Sequence, residues 1–186
     1  MDSSTAITIA IAVVVVIVVA AVLVFAVRKQ RTARLRHRFG PEYERTVEDV
    51  GDRHRAEQAL HERQQRVSEF DIRPLSASER DHFIEAWRVI QAEFVDQPKQ
   101  ALAKADDLLT DVMRARGYPI EDFEQRSADL SVDHPSVVQH YRAGREIAVR
   151  HKQGEADTED LRQAMIHFRA LFDDLVGAAA DVRREA

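Results

Sequence analysis

The chain has 186 residues, 27 basic and 32 acidic side chains, a formal net charge of −5 and no cysteine. The missing thiols exclude disulfides, thiolate metal centres and cysteine nucleophiles. Six glycines and five prolines leave few turns, which favours helices over β structure.

Residues 1–5 form a short polar amino terminus, and Ala6–Val27 is an unbroken run of 22 uncharged residues, mostly Val, Ile and Ala. At about 1.5 Å per residue such a helix spans about 33 Å, against a hydrocarbon core of about 30 Å. β-Branched residues are mediocre helix formers in water, but in lipid every backbone amide must be satisfied within the segment. The run therefore predicts a transmembrane helix. A cleaved signal is the competing reading, but the flank before the run carries no Lys or Arg and the apolar stretch is too long. Ala6 and Ala10 give a small-xxx-small spacing that is compatible with a homo-oligomer.

Arg28, Lys29, Arg31, Arg34, Arg36 and Arg38 follow at once, and no basic residue precedes the run. The positive-inside bias places the amino terminus outside and the remainder in the cytoplasm, with the protein in the cell membrane. These six cations are expected at the membrane surface, against the bilayer and its anionic headgroups. Setting them and Asp2 aside leaves 21 basic against 31 acidic residues, a net −10. A body so acidic is a poor nucleic-acid binder.

Gly40-Pro41 predicts the end of the first helix near Phe39. From Pro41 to about Phe70 the chain is dense in charge and sparse in apolar residues. Residues 28–73 therefore read as a basic run followed by a charged helical stalk. Ile72-Arg73-Pro74-Leu75 breaks the stalk, and Ser76 with Glu79 offers a capping box. Phe83, Trp87, Ile90 and Phe94 then lie on one helical face. Pro98 opens the next helix, with Leu102, Ala105, Leu109 and Val112 as its stripe and Gly117 as its carboxyl cap. A shorter helix is predicted near Ile120–Leu130. Asp133 is expected to cap the following one, whose face holds Val137, Val138, Tyr141 and Ala148, with Gly144 where a neighbour can approach. Gly154 ends it, and Asp157 or Thr158 caps the last helix, which carries Leu161, Met165, Phe168, Phe172 and Leu175. Residues 74–176 thus predict a four- to five-helix antiparallel bundle, and residues 177–186 a polar tail. The fold class is all-α.

No stretch carries a catalytic motif. Glu79-x-x-His82 is the sole Glu-x-x-His pair, without the second pair that bundle metal centres use. The other histidines lack ligand spacing, and no Gly-rich phosphate loop opens a helix. No catalytic, cofactor-binding or metal-ligating residue is assigned, no cofactor is expected, and the chain does not read as an enzyme. Tyr118 and Phe123, in an aromatic and acidic loop, are the expected contact with another protein.

The stretches RFGPEYERTVEDVGDRHRAEQAL, DIRPLSASER and DFEQRSADLSVDHPSVVQHYR resemble an uncharacterised family of small bacterial membrane-anchored proteins, described as hypothetical membrane or secreted proteins. The resemblance implies a single-pass anchor and no activity. The expected role is a membrane-tethered cytoplasmic scaffold or adaptor. The alternative is a ligand- or metal-binding bundle, or an enzyme, whose site sequence spacing does not reveal.

Overall fold

The computed structural model describes the backbone of residues 3–177 and the side chains of residues 18–20, 22, 23, 25–27 and 29–177. Among the described residues there are eight α-helices and no strand. They are α1 (Ser3–Phe39), α2 (Pro41–Val50), α3 (Arg53–Ser68), α4 (Ala77–Glu93), α5 (Pro98–Ala115), α6 (Phe123–Asp133), α7 (Val138–Lys152) and α8 (Thr158–Leu175). The all-α expectation holds.

α1 carries the uncharged run and the basic segment on one continuous helical backbone of 37 residues, about 55 Å long. Among the described residues no helix is long and apolar enough to cross a membrane. Most of the uncharged run, including Ala6 and Ala10, lies outside the described side chains, as do residues 1–2 and the tail from residue 178.

The bundle of α4–α8 closes around a core that the helical stripes specify. Ser76 accepts from the Glu79 amide, and the Glu79 carboxylate returns to the Ser76 amide at 2.8 Å, completing the capping box. One turn on, Phe83, Trp87 and Ile90 are buried, and the Trp87 ring stacks on Phe172 with centroids 4.7 Å apart. Burial of side chains this size contributes about 1.5–3 kcal/mol each. α5 buries Leu102, Ala105, Leu109 and Val112. It ends at Gly117, with φ +95°, where the Tyr118 amide reaches back to the Met113 carbonyl at 3.0 Å. A Cβ there would lie 2.2 Å from the Asp71 carbonyl oxygen, so only glycine lets the 71–73 strap cross this helix end. α8 starts on a second capping box, Asp157 with Asp160.

Gly144 makes room for the Phe168 ring of α8 against the backbone of α7, because a Cβ at this position would stand 2.5 Å from that ring. The pairs Gly144–Phe168 and Arg150–Asp160 make α7 and α8 antiparallel. α4 and α5 are antiparallel too, joined across their ends by Lys104 and Glu93 at 2.7 Å. α5 and α8 finish side by side, where Arg116 donates to the Leu175 carbonyl at 3.2 Å.

Two expectations are corrected. Asp133 does not cap α7. It ends α6, accepts from the Tyr118 hydroxyl and pairs with Arg38 at 3.6 Å, while residues 134–137 turn the chain. The charged stalk is also not a solvated extension. It is two helices that fold back, α2 against α1 and α3 against α1 and α6. A second core of Phe39, Tyr43, Leu60, Val67 and Val132 holds them. The sparse apolar residues of this segment suffice because Phe39 and Val132 come from outside it.

Glu42 ties this hairpin to the bundle. It is 2% exposed and accepts from Arg63 of α3 at 3.1 Å and from Gln139 and Arg142 of α7 at 2.9 Å. Asp129, 1% exposed, accepts from Arg66 at 3.1 Å and Gln125 at 2.8 Å, which fastens α3 to α6. A buried charge is tolerated only when its lone pairs are taken up in this way.

Candidate functional site

The basic end of α1 and the fold-back of α3 together make a large groove. Asp52 caps α3 by accepting from the Arg55 amide at 2.8 Å. α2 runs back along α1 and α3 turns again, so α3 runs in the same direction as α1. Its first turns reach the level of Thr32, and its end meets Phe39. The seam is fixed at Glu57, whose Oε1 accepts from Thr32 at 2.7 Å and from the Tyr43 hydroxyl at 2.8 Å, with Arg53 at 3.2 Å. Burial works against the Glu57 charge, but the three donors outweigh it and hold the carboxyl below its usual range. Tyr43 is pushed up, first by burial and then by this carboxylate.

Beside this seam opens a groove of about 1530 Å³. It runs from Phe25, within the uncharged run, to Arg38 at the helix end. Its walls carry Lys29, Arg31, Arg34, Arg36, Arg38 and Arg53, with His54 and His61, against only Asp52 and Glu57. Arg36 pairs with Glu44 at 3.2 Å and lies over the Tyr43 ring at 5.1 Å. Arg38 is held by Asp133 and Arg53 by Glu57. Lys29, Arg31 and Arg34 are exposed and form no ion pair among the described residues. Five of the six cations assigned to the membrane surface therefore line one groove, and the Arg28 side chain lies outside the described residues. The sequence indicated the α1 cations. It gave no sign that Arg53, His54 and His61 share their groove, because that depends on the turn at Gly51.

The loop assigned to a protein partner does not present its aromatics. Tyr118 is 4% exposed, packs in the bundle core and donates to Asp133 at 3.2 Å. Burial, then the Asp133 charge, pushes its phenol far up. Phe123 is half-buried against the Tyr141 ring, 4.9 Å between centroids, beneath Arg145 at 5.5 Å. Both side chains are engaged internally, so this loop loses its anchor for a partner.

Three further polar clusters arise from residues far apart in the chain. His134 Nδ1 is hydrogen-bonded to Asp174, and Arg116 approaches its Nε2 at 3.3 Å. Arginine only donates, so Nε2 accepts and Nδ1 carries the hydrogen toward Asp174. With both ring nitrogens engaged and no nucleophile among its partners, the pair clasps α5, the turn before α7 and the end of α8. Asp106 faces Arg145 at 3.0 Å, and burial pushes its carboxyl up despite the guanidinium. His140 and His167 bring their Nδ1 atoms to 3.0 Å beside the Gly144 crossing. Glu79 is engaged as cap and by Arg73 at 2.6 Å, apart from any partner for His82. Among the described residues no three His, Asp or Glu side chains converge to hold a metal ion.

No family model, no curated protein and no solved structure matches the chain.

Proposed function

We propose that this protein is a membrane-tethered interaction module: a single-pass anchor that presents an acidic helical bundle on the cytoplasmic face as a scaffold or adaptor for another protein. The observation that carries it is the juxtaposition along α1. A run of 22 uncharged residues is followed within two residues by Lys29, and then by Arg31 and Arg34, three cations left without acidic partners. A folded domain with an acidic surface has counter-charges to spare, and leaving these three unpaired fits a headgroup layer that supplies them. The bundle beyond them is acidic and is repelled by an anionic leaflet, which keeps its outer surface open to a partner. The internal polar clusters are engaged by the chain's own residues, which favours the adaptor reading over an enzyme.

The orientation is tested in intact cells, which the absence of native cysteine makes simple. Ser3→Cys and Ser136→Cys variants are treated with a membrane-impermeant maleimide. Ser136 is exposed, so folding does not shield it. Only the Ser3 variant is expected to be labelled. Labelling of the Ser136 variant in unbroken cells overturns the orientation.

A further inference from the structure

The geometry points to the α1–α3 groove as a binding site for one anionic phospholipid, its headgroup met by the unpaired cations Lys29, Arg31 and Arg34 and its acyl end against Phe25. The inference rests on the membrane reading above and names the ligand of that groove.

Depth is the first argument. Thr32, where Glu57 of α3 fastens to α1, lies five residues past Val27, or about 7.5 Å along the helix. The headgroup layer occupies about 5–7.5 Å on each side of the hydrocarbon core. Glu57, in the second turn of α3, is therefore held at headgroup depth. Phe25, 70% exposed and lining the same groove, lies two residues before Val27, about 3 Å inside the hydrocarbon edge on the same scale.

Charge is the second. The other groove cations are already matched: Arg36 by Glu44, Arg38 by Asp133, and Arg53 by Glu57. The three that remain line the same groove at different heights, Arg31 and Arg34 one helical turn apart and Lys29 on another side of α1, and the nearby carboxylates are committed, Asp52 to capping α3 and Glu57 to its three donors. A phosphodiester fits this excess, and a zwitterionic lipid, whose ammonium would meet the same cations, does not. Shape is the third. A bare basic helix attracts anionic lipid diffusely. Here α3 supplies a second wall with Arg53 and His54, so the groove is bounded on two sides.

The test uses the full chain reconstituted in phosphatidylcholine nanodiscs that contain a minor fraction of phosphatidylglycerol. After mild detergent exchange, lipid retained per chain is measured by mass spectrometry. The wild type is expected to retain a single phosphatidylglycerol, enriched over phosphatidylcholine by at least about tenfold, since each cation near the surface is worth about fivefold and the three add incompletely. The triple variant Lys29→Gln, Arg31→Gln, Arg34→Gln loses the enrichment. A control triple variant of exposed bundle cations, Arg88→Gln, Arg114→Gln, Arg162→Gln, keeps it. The three groove residues make no ion pair, so their neutralisation leaves the fold intact, checked by helical content. Retention that is equal for the two lipids, unchanged by the groove variant, or lost alike in the control overturns the site. Flotation with vesicles of phosphatidylcholine alone separates the two levels. A wild type that floats but shows no enrichment refutes the lipid site and leaves the anchor standing, and one that does not float refutes both.

Discussion

Replacing Glu42 by alanine removes the acceptor on which three helices converge. The carboxylate is 2% exposed and takes hydrogen bonds from Arg63 Nη1 at 3.1 Å, Gln139 Nε2 at 2.9 Å, Arg142 Nη2 at 2.9 Å and Arg142 Nη1 at 2.5 Å. Truncation leaves two guanidinium groups behind. Arg142 is 14% exposed and cannot regain full hydration, whereas Arg63 at 25% can turn further toward water. Removing one partner of a buried ion pair costs about 3–5 kcal/mol, and the partial exposure of Arg63 places this case near the lower end, at about 3 kcal/mol. Glu44, two positions beyond on the same helix, supplies the internal comparison. Its pair with Arg36 joins side chains that are 60% and 53% exposed, and its loss should cost under about 1 kcal/mol. The two variants are compared in the full chain in micelles. Denaturant unfolding is followed by Trp87 fluorescence, which reports the bundle, and by amide exchange over residues 41–68, which reports the hairpin. Glu42→Ala should raise exchange throughout α2 and α3 before the bundle unfolds. If Glu42→Ala and Glu44→Ala are equally mild, or if the hairpin amides stay protected, the network does not hold α2 and α3 to α7.

Gly144→Ala should destabilise the bundle by about 1–3 kcal/mol through overpacking, because the new methyl meets the Phe168 ring at 2.5 Å; an unchanged melting temperature would show that α7 and α8 separate at no cost. A pH-dependence is expected at His167, whose pKa is lowered by burial and then by His140. The unfolded chain takes up this proton first as pH falls through about 6.5, so the neutral native form is favoured above that value and stability declines from there down through the lowered native pKa. His167→Gln should flatten the melting temperature between those limits relative to wild type, and parallel profiles for the two proteins would refute the assignment.

Local signals in this chain proved reliable where the physics is local. The Ser76–Glu79 box, the Asp157 cap, the stop at Gly117 and the close approach at Gly144 each involve neighbours along the chain or one missing side chain, and the structure contains them all. Residues 41–70 failed as a reading because their apolar side chains are too few to form a face alone. Tyr43, Leu60 and Val67 become a core only when Phe39 and Val132 join them, and nothing in the sequence pairs those positions. Glu42 carries no signal in the sequence, since its partners Gln139 and Arg142 lie about a hundred residues away. Tyr118 looked like an interface anchor because its polar neighbours masked it; burial of the ring and the bond to Asp133 follow from how α5 meets α6. The groove was half legible. Its α1 wall stands in the sequence as a basic run, and its α3 wall exists only because the hairpin folds back.

The junction between anchor and bundle has a mechanical consequence. α1 continues without a hinge from the uncharged run through Phe39, and α2 and α3 brace that end by the Thr32–Glu57 seam, the Arg38–Asp133 pair and the Glu42 network. A flexible linker would let the domain swing and would erase any rotation of the helix below it. This braced joint behaves as a shaft fixed to its head. Each residue of rotation along α1 corresponds to 100° about its axis. On the proposed membrane reading, a twist or tilt imposed on the anchor by a second membrane protein would therefore turn the bundle with it, and the direction in which a bound partner is presented would be set from within the bilayer.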